Sequence, residues 1–129
     1  PEMLGLSGAD AVMVGRGAYG RPWHSGLMAG AISMDALQRV DLADLAGEHY
    51  DAMLAHYGPA TGVRHARKHL GWYLDRHAAT CAAVPLSERK AIMTENDHRV
   101  VQRRLRQLFA GTTAADLERA AAAPRLEAA

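Results

Sequence analysis

From Asp41 to about Phe109 the apolar residues recur at the three- and four-residue spacing of amphipathic helices. In the first such stretch Leu42, Leu45, Ala46, His49 and Met53 share a stripe, Asp44, Glu48 and Asp51 point away, and Gly58-Pro59 closes the helix. The spacing predicts a second helix over 62–77 with Val63, Ala66, Leu70, Tyr73 and Leu74 facing inward. A connection over 78–85 leads to a third helix starting near Ser87. Thr94-Glu95-Asn96-Asp97 has the form of an N-cap with an acid three residues on, which splits the last stretch in two. Val101, Leu105, Leu108 and Phe109 form the final core stripe, and Gly111 stops it. Beyond Thr112 the pattern weakens, and residues 112–129 are expected to be a frayed extra helix or a mobile alanine-rich tail.

The first thirty residues read differently. Residues 2–6 look like the end of a helix stopped by Ser7-Gly8. Ala11-Val12-Met13-Val14 is a continuous apolar run, the type buried on both faces of a parallel sheet. Gly15-Arg16-Gly17 ends it, and Pro22 suits the first turn of a following helix. No second buried run follows, and one strand cannot satisfy its own backbone hydrogen bonds. The run is either part of a helix or the edge of a larger α/β domain. The second choice makes the chain, which begins at Pro1, a C-terminal fragment. The expected organisation is mainly α: a sheet or barrel remnant over 1–34, a helical bundle over 35–111 and a tail over 112–129.

Composition agrees with that bias. Alanine supplies 26 of the 129 residues, against two Ile, seven Val and one Phe, which favours helix over sheet. Fifteen Lys+Arg against fourteen Asp+Glu leave a net charge of +1, so no global field announces a nucleic-acid partner. The apolar stretches fall far short of the roughly 20 residues of a membrane span. One cysteine excludes an internal disulfide framework, and no cleavable leader is seen, so a cytoplasmic location is expected.

Two constellations can carry chemistry. An apolar run entering Gly15-Arg16-Gly17 and then a helix exposes backbone N–H groups suited to a phosphate, and Arg16 adds a charge-assisted contact. An ordinary strand-to-helix turn would use the same glycines. Further on, Arg64, Lys68 and Trp72 line one helical ridge. Such a ridge can meet a nucleic acid, with cations on phosphates and the indole on a base or sugar. It can equally be a solvated charged face with Trp72 packed against another element. Arg99, Arg103, Arg104 and Arg106 form a second cluster, and if the two faces adjoin, the small net charge conceals a local basic patch. His65 and His69 stand at i, i+4, but no partner motif accompanies them, so no metal is expected. Cys81 has no activating neighbour in sequence and is read as an idle thiol.

Residues 8–23, Gly-Ala-Asp-Ala-Val-Met-Val-Gly-Arg-Gly-Ala-Tyr-Gly-Arg-Pro-Trp, resemble the last barrel strand and following loop of tRNA-dihydrouridine synthases. Tyr57-Gly58-Pro59, Gly62-Val63-Arg64, Ala66-Arg67-Lys68-His69 and Trp72-Tyr73 resemble the helical domain of the bacterial B-type group. The resemblance spans about residues 1–110. It implies the last strand and helix of a TIM (β/α)8 barrel carrying FMN, followed by a helical bundle that grips tRNA. It also implies NADPH as reductant and a catalytic cysteine on a barrel loop that this chain lacks. Carried over, Gly15 and Arg16 would hold the FMN phosphate. Arg64, Arg67, Lys68 and His69 would face tRNA, and no residue here would be catalytic. The fragment would need the missing barrel to act. The alternative is a stand-alone helical RNA-binding module without catalysis.

Overall fold

The structure is a computed structural model that describes residues 2–119. In chain order it places helix α1 (Glu2–Ser7), a 3-10 turn (Arg16–Ala18), then α2 (His24–Met28), α3 (Met34–Gln38) and α4 (Leu42–Tyr57). Helices α5 (Pro59–Thr80), α6 (Leu86–Thr94), α7 (His98–Leu108) and α8 (Ala114–Arg119) follow. Side-chain caps set several of the starts. Ser33 accepts the Ala36 N–H at 3.1 Å, Asp41 accepts that of Asp44 at 3.0 Å, and Asp97 accepts that of Arg99 at 2.9 Å. The break between α6 and α7 falls where the sequence predicts one, but its cap is Asp97. Thr94 instead turns its hydroxyl back to the Lys90 carbonyl.

Helices α4 and α5 form the central pair, with α7 against α4, α6 and α8 against α5, and α3 against α8. The predicted α5 stripe is buried in full. On α4 the buried arc is rotated: Tyr50 and Leu54 enter the core with Leu42 and Ala46, while Leu45, His49 and Met53 are only partly covered. Both α5 and α7 pack on α4, so its buried arc widens toward α7 and leaves His49 at the margin beside α5. Gly62 is where α4 and α5 come closest, since a Cβ there would meet the Leu54 Cα at 2.8 Å.

Two expectations are corrected. Residues 11–14 form no strand: Val12 and Met13 are exposed, Met13 by 94 %, and the run pairs with nothing among the described residues. A strand is stabilised by its ladder neighbour, and no second strand lies among those residues to supply one. The segment after Thr112 is also not a frayed or mobile tail as far as Arg119. Ala114, Ala115 and Leu117 of α8 are fully buried. Thr113 and Asp116 cap α8 reciprocally, at 2.9 and 3.3 Å. A short antiparallel bridge, Leu42 N–H to Thr112 C=O and Ala114 N–H to Val40 C=O, ties α8 to the start of α4. Residues 120–129 of the expected tail lie outside the described residues.

The residues around the 3-10 turn share this core. Trp23 belongs to it, and Leu27 and Ile32 pack against it.

Candidate functional site

The Gly15-Arg16-Gly17 segment and the 64–73 segment of α5, far apart in sequence, meet in space. Gly15 C=O accepts the Ala18 N–H at 3.0 Å and Arg16 C=O accepts the Tyr19 N–H at 3.1 Å, which closes the 3-10 turn. Tyr19 then lays its ring flat on Trp72, with centroids 3.7 Å apart and planes 10° from parallel. Gly20 follows at φ +72°, where a Cβ would stand 2.5 Å from the Trp72 carbonyl oxygen. Both the backbone angle and the close approach require glycine there.

Arg21 fixes the turn from the other side. Its Nε donates to the Gly17 carbonyl at 2.6 Å, and its Nη1 donates to Glu118 Oε1 at 2.7 Å. Trp23 Nε1 donates to the second Glu118 oxygen at 3.0 Å. The carboxylate is 11 % exposed, so these charge-assisted bonds lie largely out of water. Arg21 engages the turn through a carbonyl and consumes none of its N–H donors.

A cleft of about 270 Å³ opens between the turn and helices α4 and α5, lined by Gly15, Ala18, Tyr19, Gly20, Pro22, His49, His69, Trp72 and Tyr73. Inside it Tyr73 Oη and His49 Nδ1 share a hydrogen bond of 3.0 Å, and the His69 ring stands edge-on to both His49 and Trp72. Burial pushes the His49 pKa below its ordinary value. It does the same to His69, helped by His49 and Lys68. Burial also raises the Tyr73 phenol. All three groups are therefore neutral at neutral pH.

The remaining candidates separate by environment. Arg64 and Lys68 are exposed on the predicted ridge, and Lys68 Nζ lies 5.3 Å from the centroid of the Trp72 ring. Arg67 turns away from that ridge and donates to Asn96 Oδ1 at 2.8 Å and Glu95 C=O at 3.3 Å, bracing the α6–α7 junction. Arg16 is exposed and forms no ion pair among the described residues. Cys81 is exposed beyond the end of α5, beside the Thr80 hydroxyl. Among the described residues no group of three or more His, Cys, Asp or Glu side chains is placed to hold a metal ion. No helix there is long and apolar enough to cross a membrane.

Sequence reasoning missed the roles of Tyr19, His49, Arg21 and Glu118. Only α8 left a readable signal, the Thr113-x-x-Asp116 capping pattern that marks its start.

The family model described as dihydrouridine synthase matches residues 1–111 of the chain. A protein of Rhizobium leguminosarum bv. phaseoli named probable tRNA-dihydrouridine synthase is 55 % identical over 104 residues, covering 81 % of this chain and 31 % of the relative. A protein of the same name from Rhodobacter capsulatus is 40 % identical over 116 residues, 87 % of this chain and 34 % of the relative. The tRNA-dihydrouridine synthase B of Xanthomonas axonopodis pv. citri is 46 % identical over 80 residues, 59 % of this chain and 24 % of the relative. The chain thus spans about a third or less of the length of these relatives. No solved structure matches it.

Proposed function

The chain belongs to the dihydrouridine synthase family, and from that premise we propose that it supplies a helical, RNA-facing part and a cofactor-phosphate turn to an FMN-dependent tRNA-dihydrouridine synthase. The reaction is reduction of the C5–C6 double bond of specific uridines in tRNA, with NADPH as the source of electrons. A tRNA substrate places this work in the cytoplasm.

In this reading Gly15 and Arg16 hold the FMN phosphate. The residues fit such a group: a Cβ on Gly15 would stand in open space, and the Arg16 cation is exposed beside it. Tyr19 and Arg21 anchor the turn to α5 and α8, so the phosphate seat is set before the ligand arrives. When bound, FMN supplies hydride chemistry. Its ring is held by residues outside this chain, and so is the proton donor, since Cys81 lies beyond the far end of α5. A phosphate seat alone predicts weak FMN binding by the isolated chain, on the order of millimolar, and no catalysis without the missing barrel.

Arg64 and Lys68 meet tRNA phosphates, His69 borders the same face, and Arg67 serves it from behind by bracing the α6–α7 junction. The observation that carries the reading is the Tyr19–Trp72 stack, which ties the Gly15–Arg16 turn to the same indole that Lys68 stands over. The test is tRNA affinity across a salt series for the chain and for a variant carrying Arg64→Ala and Lys68→Ala. The slope of log affinity on log salt should shrink by about two units, one for each lost phosphate contact. An unchanged slope would remove α5 from the RNA interface.

A further inference from the structure

The cleft beside the Tyr19–Trp72 stack asks for an occupant other than a phosphate. Its walls are aromatic rings and small side chains, and its cation, Lys68, stands over Trp72 and does not line the interior. An anion drawn inside would lose its water without gaining a counter-charge. The volume of about 270 Å³ falls just short of the roughly 300–1,000 Å³ of pockets for drug-sized ligands. That suits a single heteroaromatic ring.

The polar groups inside match such a ring. His49 uses Nδ1 on the Tyr73 hydroxyl, which leaves Nε2 for a ligand, and His69 adds a second imidazole at 5.1 Å between centroids. Burial keeps both imidazoles neutral, so each offers a donor or an acceptor and not a charge. Single-stranded RNA is read in this way, with a splayed base among aromatic side chains and its edge hydrogen-bonded.

Charge outside the cleft selects the source of the base. Arg64 and Lys68 lie one helical turn apart on the exposed ridge of α5, and Lys68 Nζ stands 5.3 Å from the centroid of the Trp72 ring. A phosphate held there carries its own base to the mouth of the cleft. We propose that this cleft receives one unpaired base of the RNA whose phosphates lie along Arg64 and Lys68. The proposal rests on the RNA-facing reading of α5.

The test compares the full chain's affinity for a short single-stranded oligouridylate with that for an abasic strand of equal length, by fluorescence anisotropy. The abasic strand should bind about tenfold more weakly, the scale of one base stacked on aromatic side chains. The ring-proton resonances of His49 and His69 should move with the oligouridylate and stay still with the abasic strand. Ala18→Leu, which fills the cleft from the turn, should bring the two affinities together. Equal affinities for the unaltered chain, with both histidines unmoved, would overturn the base site and leave the phosphate ridge standing. Binding of neither strand would overturn the ridge and the base site with it.

Discussion

Helices α5 and α7 carry similar positive charge in the sequence and use it differently in the fold. On α5, Arg67 is bonded to Glu95 and Asn96, Arg76 donates to the Leu117 carbonyl, and Lys68 stands over an indole. On α7, among the described residues, only Arg104 is paired, with both oxygens of Glu88. Arg99, Arg103 and Arg106 are exposed on the face opposite Val101 and Leu105, without ion pairs among the described residues. Position explains the contrast. Helix α5 is packed by α4, α6, α8 and the 3-10 turn, while α7 meets α4 and α6 on one side and water on the other. Helix α4 meets the two helices from different sides. His49 reaches Tyr73 of α5, whereas Asp51, two residues and about 200° further round, accepts from Gln102 of α7. Counting cations on a helix does not reveal which of them a partner can reach.

The one-sidedness of α7 can be broken most directly by stability. Leu105 is fully buried, so Leu105→Ala should cost about 3 kcal/mol through lost burial and a residual cavity. Arg103→Ala on the opposite face should change stability by no more than about 0.5 kcal/mol. Urea denaturation of the two variants measures both. Comparable losses would mean that the outer face of α7 is a packed surface after all. A smaller effect sharpens the picture of α5. Arg67→Ala removes two hydrogen bonds at the α6–α7 junction and should cost about 1 kcal/mol. The salt dependence of tRNA binding should stay as it is, because Arg67 does not lie on the exposed ridge. A smaller salt slope in that variant would return Arg67 to the RNA interface.

How much of this was legible follows from the range of each interaction. The α5 stripe was readable because Val63, Ala66, Leu70, Tyr73 and Leu74 repeat with the helical period, and periodicity is a local signal. The rotation on α4 was not, since it depends on which neighbours pack there. Helix α8 escaped notice because alanines carry little amphipathic contrast, yet Ala114 and Ala115 fill space that a larger side chain would overfill. The run over 11–14 shows the opposite failure, apolar in sequence and exposed in the fold, because a strand's burial is decided by its neighbours. In the site, Gly15 and the α5 ridge were legible as separate motifs. Their union was not: Tyr19 and Trp72 are 53 residues apart, and Arg21 and Glu118 are 97 apart. Neither contact leaves a periodic trace.

The smallest effect tests how firmly α5 is committed, at the point where it meets the end of α7. His77 is 4 % exposed, and its ring lies 5.2 Å from that of Phe109. Burial, the larger influence, lowers its pKa below 6.5, and contact with the Ala82 backbone only partly opposes this. His24, His49 and His69 are shifted the same way, mainly by burial. Below pH 6.5 the unfolded chain takes up protons that the folded histidines still refuse, so stability is complete above that pH and declines as the pH falls toward the lowered values. Each such histidine contributes at most about 1.4 kcal/mol per pH unit to the slope within that window. Thermal melts followed by circular dichroism from neutral pH down to about 5 should therefore show a falling Tm. His77→Leu, which leaves no imidazole to protonate, should make the decline shallower by one group's share. An identical decline in both proteins would mean that the His77–Phe109 contact admits the proton, and that α5 is held there more loosely than its burial indicates.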